Sequence, residues 1–587
     1  MPEAEAEALP LSLSGRRWIV AGGDAREAAR YAQAARVPEP LARLLIARGI
    51  APAEAGAHLA PRLRDLLPDP SVLADAEKAA ERLADAVTRG ETIGVFGDYD
   101  VDGTASTALL VLTLRALGAS AIHAVPDRMR DGYGPNLPAF LRLAAAGASL
   151  IVCVDCGSTA HAPIAAIADR ADVIVLDHHG LGAEPPPARA LVNPNRADDS
   201  SGLGHLCAAG IVFIVAVALV RSLRARGHFA RRPEPDLLAM VDLVGLATVC
   251  DVVPMRGLNR AFVDRGLALM AAAPRPGLAA LAAAAGLKRG IDAHALGFVL
   301  GPRLNAAGRL ADAALGVRLL LAEESGEAEA LAARLDGLNR DRQAIERAVL
   351  AEAVEQAERQ VAEGRPVLLL AGEGWHEGVV GIVAGRLRER FHRAVFVFAL
   401  AEGVAKGSGR SVPGLDLGAA VRESVEGGLL VKGGGHALAA GATAEAGALA
   451  AFQAALCARA AGAAPFGPPP LQVAARLVPE GATAPLADAI ARLGPFGIDN
   501  EEPLVAATGV ATEPVRMGSD GATLGLGLRG ESGALLRAVL FRADEGPLLE
   551  GLVRCGGVRL SLAGRLRRDV HRGGEAVCLH VADAMIG

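Results

Sequence analysis

Three apolar, β-type runs of this chain each stop at residues that bind metal ions. They are Val-Phe-Gly followed by Asp98, Asp100 and Asp102, Leu-Ile-Val-Cys-Val followed by Asp155, and Val-Ile-Val-Leu followed by Asp177, His178 and His179. The carboxyl ends of parallel strands meet at one edge of a sheet, so we expect these side chains to converge there. Carboxylates and imidazoles gathered in this way are typical of a metal-dependent hydrolase of phosphate esters.

The ligand types favour a hard or borderline divalent ion, with Mn²⁺ or Mg²⁺ ahead of zinc because oxygen ligands dominate. Two such ions about 3.5–4 Å apart activate a water and stabilise a leaving oxygen. Two structural alternatives stay open: the aspartates cap the helix that begins near Thr104, and the histidines are ordinary side chains satisfied at a strand end. Clustered carboxylates repel one another without cations, and two independent strand ends carry metal-type residues, so we favour the metal site.

Asp251 is a further carboxylate inside an apolar run, Ala-Thr-Val-Cys-Asp-Val-Val-Pro. Buried aspartates are rare without a partner. It is either a helix cap or a metal ligand, and we favour the ligand.

Strands and helices alternate around these motifs. Strands are predicted at residues 92–97, 121–125, 149–155 and 172–177, and a helix at 104–117. Such alternation favours an α/β fold with a doubly wound parallel sheet.

The rest of the chain divides into further segments. Residues 326–363 carry apolar side chains at near-heptad spacing and predict one helix about 50 Å long. A second α/β unit with strands at 367–371 and 394–400 follows, and alternating segments at 522–528 and 534–541 predict a small β-barrel. The predicted domains are an N-terminal helical segment (1–85), the sheet domain with the metal motifs (86–325), the connecting helix (326–363), a smaller α/β domain (364–465) and the barrel (466–587).

Composition limits the classes of function. The 587 residues are 51% apolar and carry a net charge of −6, so a nucleic-acid site has to be a local basic surface. Seven scattered cysteines suit buried thiols in a reducing cytoplasm, which is the expected location. The longest apolar stretch, residues 206–220, is shorter than the ~20 residues that span a bilayer, so we expect a buried helix and no membrane association.

Three segments combine glycines with cationic side chains. They are residues 301–309 with two arginines, residues 407–411 with Arg410, and residues 432–436 with Lys432 and His436. Arginine forks match phosphate oxygens, and glycines let backbone N–H groups approach an anion. Each segment alone is also explained as a surface loop or a plain turn.

Six motifs resemble those of the DHH phosphoesterase family, and among its members the single-strand-specific exonucleases. They are Gly-Asp-Tyr-Asp-Val-Asp-Gly from Gly97, Asp-Cys-Gly-Ser from Asp155, Asp-His-His from Asp177, Cys-Asp-Val-Val-Pro from Cys250, Gly-Pro-Arg-Leu-Asn-Ala-Ala-Gly-Arg from Gly301 and Gly-Gly-Gly-His from Gly433. The resemblance implies a DHH catalytic domain, a smaller DHHA1 domain that binds substrate, and a C-terminal OB-fold that binds nucleic acid.

The resemblance also implies ligands for two Mn²⁺ or Mg²⁺ ions. They are Asp98, Asp100, Asp102, Asp155, His178 and Asp251. Asp155 matches the ligand that bridges the two ions. His179 matches a second histidine that faces the scissile phosphate, so Asp155 and His179 are implied catalytic residues, and the attacking hydroxide comes from the metals.

A set of substrate contacts is implied in the same way. They are Arg128, Arg303, Asn305, Arg309, Ser408, Arg410, Gly434 and His436, with Arg130 as a competing choice for Arg128. Arg303 matches a catalytic position near the scissile phosphate. Ser408 and Arg410 match residues that hold the 5′ phosphate, and His436 lines the cleft. The two glycine-rich segments of the second α/β unit thus favour a substrate wall.

The implied activity is that of a Mn²⁺- or Mg²⁺-dependent exonuclease that degrades single-stranded DNA from 5′ to 3′ into 5′ mononucleotides. The implied roles are recombination, mismatch repair and base-excision repair. A single-strand-binding protein and a helicase are candidate partners, and we expect a monomer.

Two other functions are weighed against this one. The first is a small-substrate DHH enzyme that acts on short oligonucleotides, nucleotide phosphates or cyclic dinucleotides. About 120 residues follow the second α/β unit, the size of one more domain, which disfavours it. The second is a non-catalytic DNA-binding scaffold. Every ligand position is filled, and buried carboxylates are costly without metal, which disfavours a scaffold.

The predicted barrel is poor in aromatic residues, since Phe466, Phe496 and Phe541 are the only ones from residue 466 onward. Base stacking on aromatic rings is a main source of sequence-tolerant single-strand binding. We therefore expect the barrel to depend on arginine, for example in residues 565–572. The alternative is that this run is a solvated charged edge.

Overall fold

The computed structural model describes residues 11–21, 24–127, 132–182, 184–461, 467–518, 521–541, 546–569 and 572–586. The chain folds into two compact units. The larger unit consists of Leu67–Val253 and Ala261–Phe466, and the smaller unit of Met1–Leu66, Pro254–Arg260 and Gly467–Gly587.

Within residues 11–21 and 24–66, the chain contributes one strand and four helices to the smaller unit. They are β1 (Trp18–Val20), α1 (Ala25–Ala35), α2 (Glu39–Ala47), α3 (Ala55–Leu59) and α4 (Leu63–Leu66). Asp24 caps α1, because its carboxylate accepts a hydrogen bond from the Arg26 N–H at 2.9 Å. The segment is therefore mainly helical, as its sequence predicts.

The larger unit begins with the sheet domain. Its elements are α5 (Ala76–Arg89), β2 (Thr92–Gly97), α6 (Val101–Ala116), β3 (Ser120–Ala124), α7 (Leu137–Ala145), β4 (Ala148–Val154), α8 (His161–Ile167), β5 (Asp172–Leu176), β6 (Ala190–Val192), α9 (Ala208–Ala225), α10 (Val241–Cys250), α11 (Gly257–Ala272), α12 (Pro276–Ala284), α13 (Ala293–Ala295), α14 (Gly301–Leu310) and α15 (Ala314–Leu321). The strands predicted at 92–97, 121–125, 149–155 and 172–177 are confirmed as β2 to β5.

The five strands of this domain form one parallel sheet in the order β3-β2-β4-β5-β6. The chain starts at β2, adds β3 on one side and then crosses to β4 on the other. In such doubly wound sheets, ligands bind in the crevice at the carboxyl ends of the two strands where the direction reverses, here β2 and β4. The fold therefore places Asp98 and Asp155, which follow these two strands, on either side of one crevice.

Helix α9 belongs to the core of the larger unit. It packs against α5, α6 and α10, and most of its residues are buried. Among the described residues it is the helix long and apolar enough to cross a membrane, but its burial inside the unit is that of a core helix. The buried helix predicted around residues 206–220 is thus confirmed.

A single long helix, α16 (Ser325–Ala362), joins the sheet domain to the second α/β domain, as predicted. At 1.5 Å per residue its 38 residues extend over about 57 Å. The second domain contains β7 (Val367–Glu373), α17 (Glu377–Phe391), β8 (Ala394–Ala401), β9 (Val404–Arg410), α18 (Leu417–Glu426), β10 (Lys432–His436), β11 (Ala439–Glu445) and α19 (Leu449–Arg459).

The second sheet has the order β10-β11-β9-β8-β7, with β7 and β8 parallel and the other pairs antiparallel. One face packs against α16 and α17, and the opposite face against α18 and α19. The interpretation of residues 407–411 and 432–436 as loops or turns is wrong, because residues 407–410 lie in strand β9 and residues 432–436 form β10. A Cβ atom on Gly407 would lie 2.3 Å from the Phe398 ring, and one on Gly409 would lie 2.6 Å from the Phe396 ring. The glycines of β9 therefore make room for aromatic side chains of β8.

The C-terminal part of the smaller unit is a closed barrel with short added strands. Its elements are β12 (Leu471–Val473), β13 (Ala475–Leu477), α20 (Ala484–Ala491), β14 (Val505–Ala511), β15 (Val515–Met517), β16 (Thr523–Arg529), β17 (Leu535–Phe541), α21 (Pro547–Val553), β18 (Arg559–Arg568) and β19 (Val577–Ile586). The strands β14, β18, β19, β17 and β16 pair in that order, and β16 pairs back to β14, which closes the barrel. The predicted barrel is confirmed.

The N-terminal segment is part of the barrel unit and not a separate domain. Strand β1 pairs in parallel with β12, and the Trp18 indole N–H donates to Asp583 Oδ2 at 2.9 Å. Leu41 and Leu45 are fully buried in the same core as barrel leucines. The predicted 1–85 boundary differs from this grouping because β1 finds its partner in a distant part of the chain, and α5 joins the sheet domain instead.

Three arginines of the 565–572 run make ion pairs within the smaller unit. Arg565 and Arg567 both contact Glu502, the first with Nε at 3.3 Å from Oε2 and the second with Nε at 2.8 Å from Oε1. The Arg568 guanidinium forms two hydrogen bonds to the Asp488 carboxylate, at 2.9 and 2.6 Å. This run is therefore a charged edge with much of its charge compensated, and its role in holding DNA stays a prediction.

Candidate metal centre

The turn between β2 and α6 carries the first three carboxylates. Asp98 is buried directly after β2, and Asp100 caps α6 by accepting a hydrogen bond from the Gly103 N–H at 3.1 Å. A Cβ atom on Gly103 would lie 2.5 Å from the Asp98 carbonyl oxygen, so only glycine fits where the turn meets the helix. The helix-capping alternative is thus correct for Asp100, and it is compatible with metal binding by its second oxygen.

Asp102 lies in the first turn of α6 and is buried. Its carboxylate accepts hydrogen bonds from the N–H groups of Ala208, at 2.6 Å, and Ala209, at 2.9 Å, at the N-terminus of α9. The positive end of a helix dipole favours a charged carboxylate. Asp102 therefore joins α6 to α9, and its Oδ2 also lies 3.8 Å from His178 Nε2.

Asp155 follows β4 in an unusual backbone conformation. Its φ of 61° is in the left-handed region that residues other than glycine rarely adopt. The side chain is buried, and within the described residues neither carboxylate oxygen accepts a hydrogen bond. Its Oδ1 lies 3.3 Å from His178 Nε2. A strained residue with an unsatisfied buried carboxylate is typical of a functional site.

Asp177 holds the two histidines that follow β5. Its Oδ1 accepts hydrogen bonds from the His178 and His179 N–H groups, at 2.8 and 3.1 Å, and lies 2.8 Å from His179 Nδ1. Its Oδ2 accepts from the Ser158 N–H at 3.0 Å. Asp177 thus positions the histidines, a role that the sequence analysis did not assign to it although it begins the Asp-His-His motif.

Asp251 comes from the C-terminus of α10. Its Oδ2 lies 3.6 Å from His178 Nε2, and the next residue, Val252, has a φ of 59°. A β-branched residue in this conformation is strained. The negative end of a helix dipole disfavours a carboxylate, so Asp251 gains from a nearby cation.

The six predicted ligands therefore come together at one edge of the sheet. The structure groups them in three overlapping sets, in each of which one ligand atom per residue lies within 4.8 Å of the others. The sets are Asp98, Asp100 and Asp155, then Asp102, His178 and Asp251, and finally Asp155, His178 and His179. Asp155 belongs to the first and the third set and lies beside His178 of the second, which is the placement expected of a bridging ligand.

Negative charge accumulates in this buried place. Burial, followed by the charges of Asp102, Asp100, Asp98 and Asp251, raises the pKa of Asp155 well above its usual range. Burial, with the charges of Asp102 and Asp100, raises the pKa of Asp251 to about 9. A divalent cation reverses both effects, because it stabilises the ionised carboxylates.

The donor set fits Mn²⁺ or Mg²⁺. Within the described residues, buried atoms without a hydrogen-bond partner include both carboxylate oxygens of Asp155, one of Asp251, and His178 Nε2. Buried polar atoms are normally satisfied, and each one left without a partner costs about 1–3 kcal/mol or more. Oxygen atoms with one or two imidazole nitrogens are ligands that Mn²⁺ accepts, and the carboxylates suit Mg²⁺.

His179 is held by a tyrosine as well as by Asp177. The Tyr133 hydroxyl lies 3.0 Å from His179 Nδ1 and donates to the Asp155 carbonyl oxygen at 3.2 Å. Burial lowers the pKa of His179, but the hydrogen bond and charge of Asp177 outweigh it and raise that pKa to about 9. The sequence analysis missed Tyr133, whose signal is an aromatic residue between two glycines near the predicted phosphate contact Arg128.

Helix α14 carries three of the predicted substrate contacts, so residues 301–309 are not a surface loop. A Cβ atom on Gly301 would lie 2.6 Å from Cys250 Sγ, which places the start of α14 directly against the residue before Asp251. Arg303 donates from Nε to Asp336 Oδ1 of α16 at 2.9 Å and from Nη1 to the Val299 carbonyl oxygen at 2.7 Å. Its guanidinium is therefore held by α16 and by Val299, just before α14.

The other two residues of this helix have different surroundings. Arg309 donates from Nη1 to the Gly378 carbonyl oxygen at 2.8 Å and so links α14 to α17 of the second domain. Asn305 is half-buried on the same helix. Their contacts with a phosphate stay predictions, as does that of Arg303. Arg128 and its competitor Arg130 lie outside the described residues.

The remaining contacts share one face of the second sheet. Strands β9, β11 and β10 lie side by side, and their pairing forms two rows across the sheet. One row is Arg410, Ala439 and His436, and the next is Ser408, Gly441 and Gly434. Arg410 also donates from Nη1 to Ser408 Oγ at 3.0 Å. His436 is close to the metal motifs, because its Cε1 lies 4.0 Å from where a Cβ atom on Gly180 would be. The wall predicted from the glycine-rich segments therefore borders the Asp-His-His turn.

Comparisons with known proteins agree with this architecture. Residues 92–246 match the model of the DHH family N-terminal domain, 364–462 the DHHA1 domain, and 473–583 the RecJ OB domain. The single-stranded-DNA-specific exonuclease RecJ of Dickeya dadantii is 42% identical over 418 residues, which cover 69% of this chain and 72% of that protein. This chain belongs to the RecJ family. The resemblance to DHH phosphoesterases and the three-domain fold are thereby confirmed.

Two solved RecJ structures resemble the whole chain. Both are from Thermus thermophilus, one in complex with Mn²⁺ (31% identity, TM-score 0.80) and one in complex with Mg²⁺ (30% identity, TM-score 0.74). Each likeness covers 97% of this chain, and 79% and 78% of the respective RecJ chain. The N-terminal segment of this chain therefore also falls within the region that resembles RecJ.

Proposed function

We propose that the protein is a Mn²⁺- or Mg²⁺-dependent exonuclease that degrades single-stranded DNA from its 5′ end and releases 5′ mononucleotides. One observation carries the proposal: a buried cluster of carboxylates and imidazoles directly borders a sheet face that presents Ser408, Arg410 and His436. A phosphodiester at the cluster and a terminal phosphate at Arg410 would then be held in one site.

The ligand sets described above support a proposed assignment of the metal-binding residues. Asp98, Asp100 and Asp155 would hold one ion and Asp102, His178 and Asp251 the other, with Asp155 between them. Ions held by these residues would supply charge neutralisation for the phosphodiester and a water of lowered pKa.

The chain's own residues orient the phosphodiester. Asp177 and Tyr133 both face His179 Nδ1, which leaves Nε2 as the ring nitrogen available to a phosphate oxygen. Arg303 is already held by Asp336 and the Val299 carbonyl, so its guanidinium would need little further ordering to contact a phosphate. Positioned charge of this kind is the main contribution that a protein makes to phosphoryl chemistry.

The proposed 5′ to 3′ direction of digestion depends on which end of the strand carries the terminal phosphate that the site binds. Arg410 and Ser408 supply a guanidinium and a hydroxyl beside each other, a pair that matches a phosphate with two or three free oxygens better than a phosphodiester. Capture of the 5′ phosphate on this face would leave the first phosphodiester at the metal cluster. One nucleotide would then be released in each cycle.

The experiment is digestion of one single-stranded DNA that is labelled at either end, with Mn²⁺ and with a chelator. Stepwise loss from the 5′ end, abolished by the chelator and by Asp155→Ala, supports the proposal. Loss from the 3′ end overturns the polarity. Hydrolysis of di- to tetranucleotides without cleavage of long strands would make the protein a small-substrate phosphodiesterase and contradict the proposal.

The cellular role is proposed on the family resemblance. We infer that the enzyme acts in recombination, mismatch repair and base-excision repair, in the cytoplasm, on strands that a helicase exposes and a single-strand-binding protein covers. Sensitivity of a deletion strain to DNA damage, restored by the wild type and not by Asp155→Ala, would test this role.

A further inference from the structure

One face of the second sheet presents three parallel rows of side chains, and only two of them have a role so far. Across strands β9, β11 and β10, the first row is Arg410, Ala439 and His436, and the second row is Ser408, Gly441 and Gly434. The next row along the same strands is Lys406, Thr443 and Lys432, which we call the lysine row. Side chains two residues apart on a strand share a face, so the three rows form one continuous surface.

The lysine row is open because the helix cover of this face stops short of it. Helix α17 packs over β8 and β9 and begins at Glu377 beside Lys406, whereas β11 and β10 continue beyond it. The uncovered part is a cavity of about 530 Å³. Its lining includes all three members of the lysine row, Ser408, and Glu377 and Val380 of α17. The cavity thus reaches from the predicted 5′-phosphate contact to the two lysines.

Lysine is a rare residue in this protein. The chain has 60 basic residues, of which only Lys78, Lys288, Lys406 and Lys432 are lysines. Two of these four lie opposite the same residue, Thr443, on neighbouring strands. An ammonium is a compact point charge with three rotatable donors, suited to a tetrahedral phosphate in a small space, whereas a guanidinium is planar.

The charges of the cavity leave it positive. Lys406 Nζ lies 3.0 Å from Glu377 Oε1, in a half-exposed ion pair that solvent screens. Within the described residues Lys432 makes no ion pair. An anion in the cavity would therefore meet one uncompensated ammonium and a second one that a weak pair holds in place.

The position of the row defines the anion. The lysine row follows the Ser408 row by two residues, about 7 Å along the strand, on the side away from Arg410 and the metal cluster. A group bound by the lysine row would be attached to the 5′-terminal phosphate and would extend away from the scissile phosphodiester. We propose that the lysine row is a subsite for the outer phosphates of a strand that carries a 5′-triphosphate, an inference that rests on the proposed function.

Binding of three oligonucleotides of one sequence tests the subsite. The strands end in a 5′-hydroxyl, a 5′-monophosphate or a 5′-triphosphate, and their dissociation constants are measured by fluorescence anisotropy with a chelator, so that they are not cut. The wild type should bind the triphosphate strand about 10-fold more tightly than the monophosphate strand, which is the effect of about one charge-assisted contact. In Lys432→Met, and in the double variant with Lys406→Met, this ratio should fall to between 1 and 2.

Lys288→Met is the matched control, since Lys288 is an exposed lysine of the same unit and should keep the ratio of the wild type. A wild-type ratio near 1 overturns the proposal. So does a variant that weakens binding of all three strands equally and keeps the ratio, because the lysines would then contact backbone phosphates. The proposed function is tested separately, by digestion of the 5′-monophosphate strand with the wild type and Mn²⁺. If that strand is not digested, the proposed function itself is wrong.

Discussion

Asp177 Oδ1 lies 2.8 Å from His179 Nδ1 and also accepts hydrogen bonds from the backbone N–H groups of His178 and His179. One carboxylate thus fixes both the ring orientation and the turn that carries the motif. Asp177 is absent from all three ligand sets of the metal cluster. Its contribution to activity should therefore be separable from metal binding.

Asp177→Asn should lower the rate of single-stranded DNA digestion about 10- to 100-fold, as is usual for residues that orient catalytic or ligating side chains. Mn²⁺ affinity should fall much less, because the six ligands are retained. The rate is measured by release of nucleotides from a 5′-phosphorylated strand, and the affinity by calorimetric titration. Asp172→Asn, at the exposed start of the same strand, is the control. Equal losses of rate and of affinity would place Asp177 in the metal-binding set instead.

Two glycines of α17 provide a matched pair of substitutions. A Cβ atom on Gly381 would lie 3.0 Å from Ser408 Oγ and 3.4 Å from Arg410 Nη2, whereas one on Gly385 would meet nothing within 4 Å. Gly381→Ala should displace the two side chains and abolish the preference for a 5′-monophosphate over a 5′-hydroxyl strand. Gly385→Ala should keep that preference and stabilise the fold by about 0.5–1 kcal/mol through helix propensity.

Binding to the two strands and thermal unfolding of both variants are the measurements. If Gly381→Ala keeps the preference for the 5′-monophosphate strand over the 5′-hydroxyl strand, Ser408 and Arg410 have no part in holding the 5′ phosphate.

His58 of the smaller unit should make stability depend on pH. Burial, followed by the charges of Arg260 and Arg48, lowers the pKa of His58 from 6.5 to about 4. The Arg260 guanidinium lies 3.0 Å from His58 Nδ1, so protonation would bring two cations together. The folded state therefore favours neutral His58. Its contribution is complete above about pH 6.5 and is lost as the pH falls towards 4, because only the unfolded chain takes up the proton.

Thermal unfolding of the full chain between pH 7 and pH 4.5 measures this effect by comparison with His58→Gln. The difference in stability between the two proteins should shrink as the pH falls. His161→Gln, at an exposed histidine, is the control for the substitution itself. A pH-independent difference for His58→Gln would show that His58 titrates normally in the fold.

Sequence patterns were sufficient where the signal is local. Asp98, Asp155 and His178 each follow a strand whose apolar residues are buried, so the strands, their ends and the convergence of these ligands could be predicted. The long helix α16 could be predicted from the near-heptad spacing of its apolar residues. The closed barrel could be predicted from segments in which apolar and polar residues alternate. These elements need no knowledge of distant partners.

The missed features all depend on contacts between distant parts of the chain. Strand β1 is ordered by β12, and the glycines of β9 look like a loop until Phe396 and Phe398 are seen to fill the space beside them. The hydrogen bond from Arg309 to the Gly378 carbonyl oxygen, which links α14 to α17, could not be predicted either. The glycines on either side of Tyr133 single it out in the sequence, but they do not show that it faces His179, 46 residues away.

The most direct test of the metal centre is the number of Mn²⁺ ions bound per chain, measured by calorimetric titration of the wild type and of Asp155→Asn. This account predicts two ions for the wild type. For the variant it predicts loss of tight binding at both sites, because Asp155 lies between the two ligand sets, and no loss of thermal stability in chelator, because its carboxylate is buried among like charges. One ion in the wild type, or two tightly bound ions in Asp155→Asn, would contradict it.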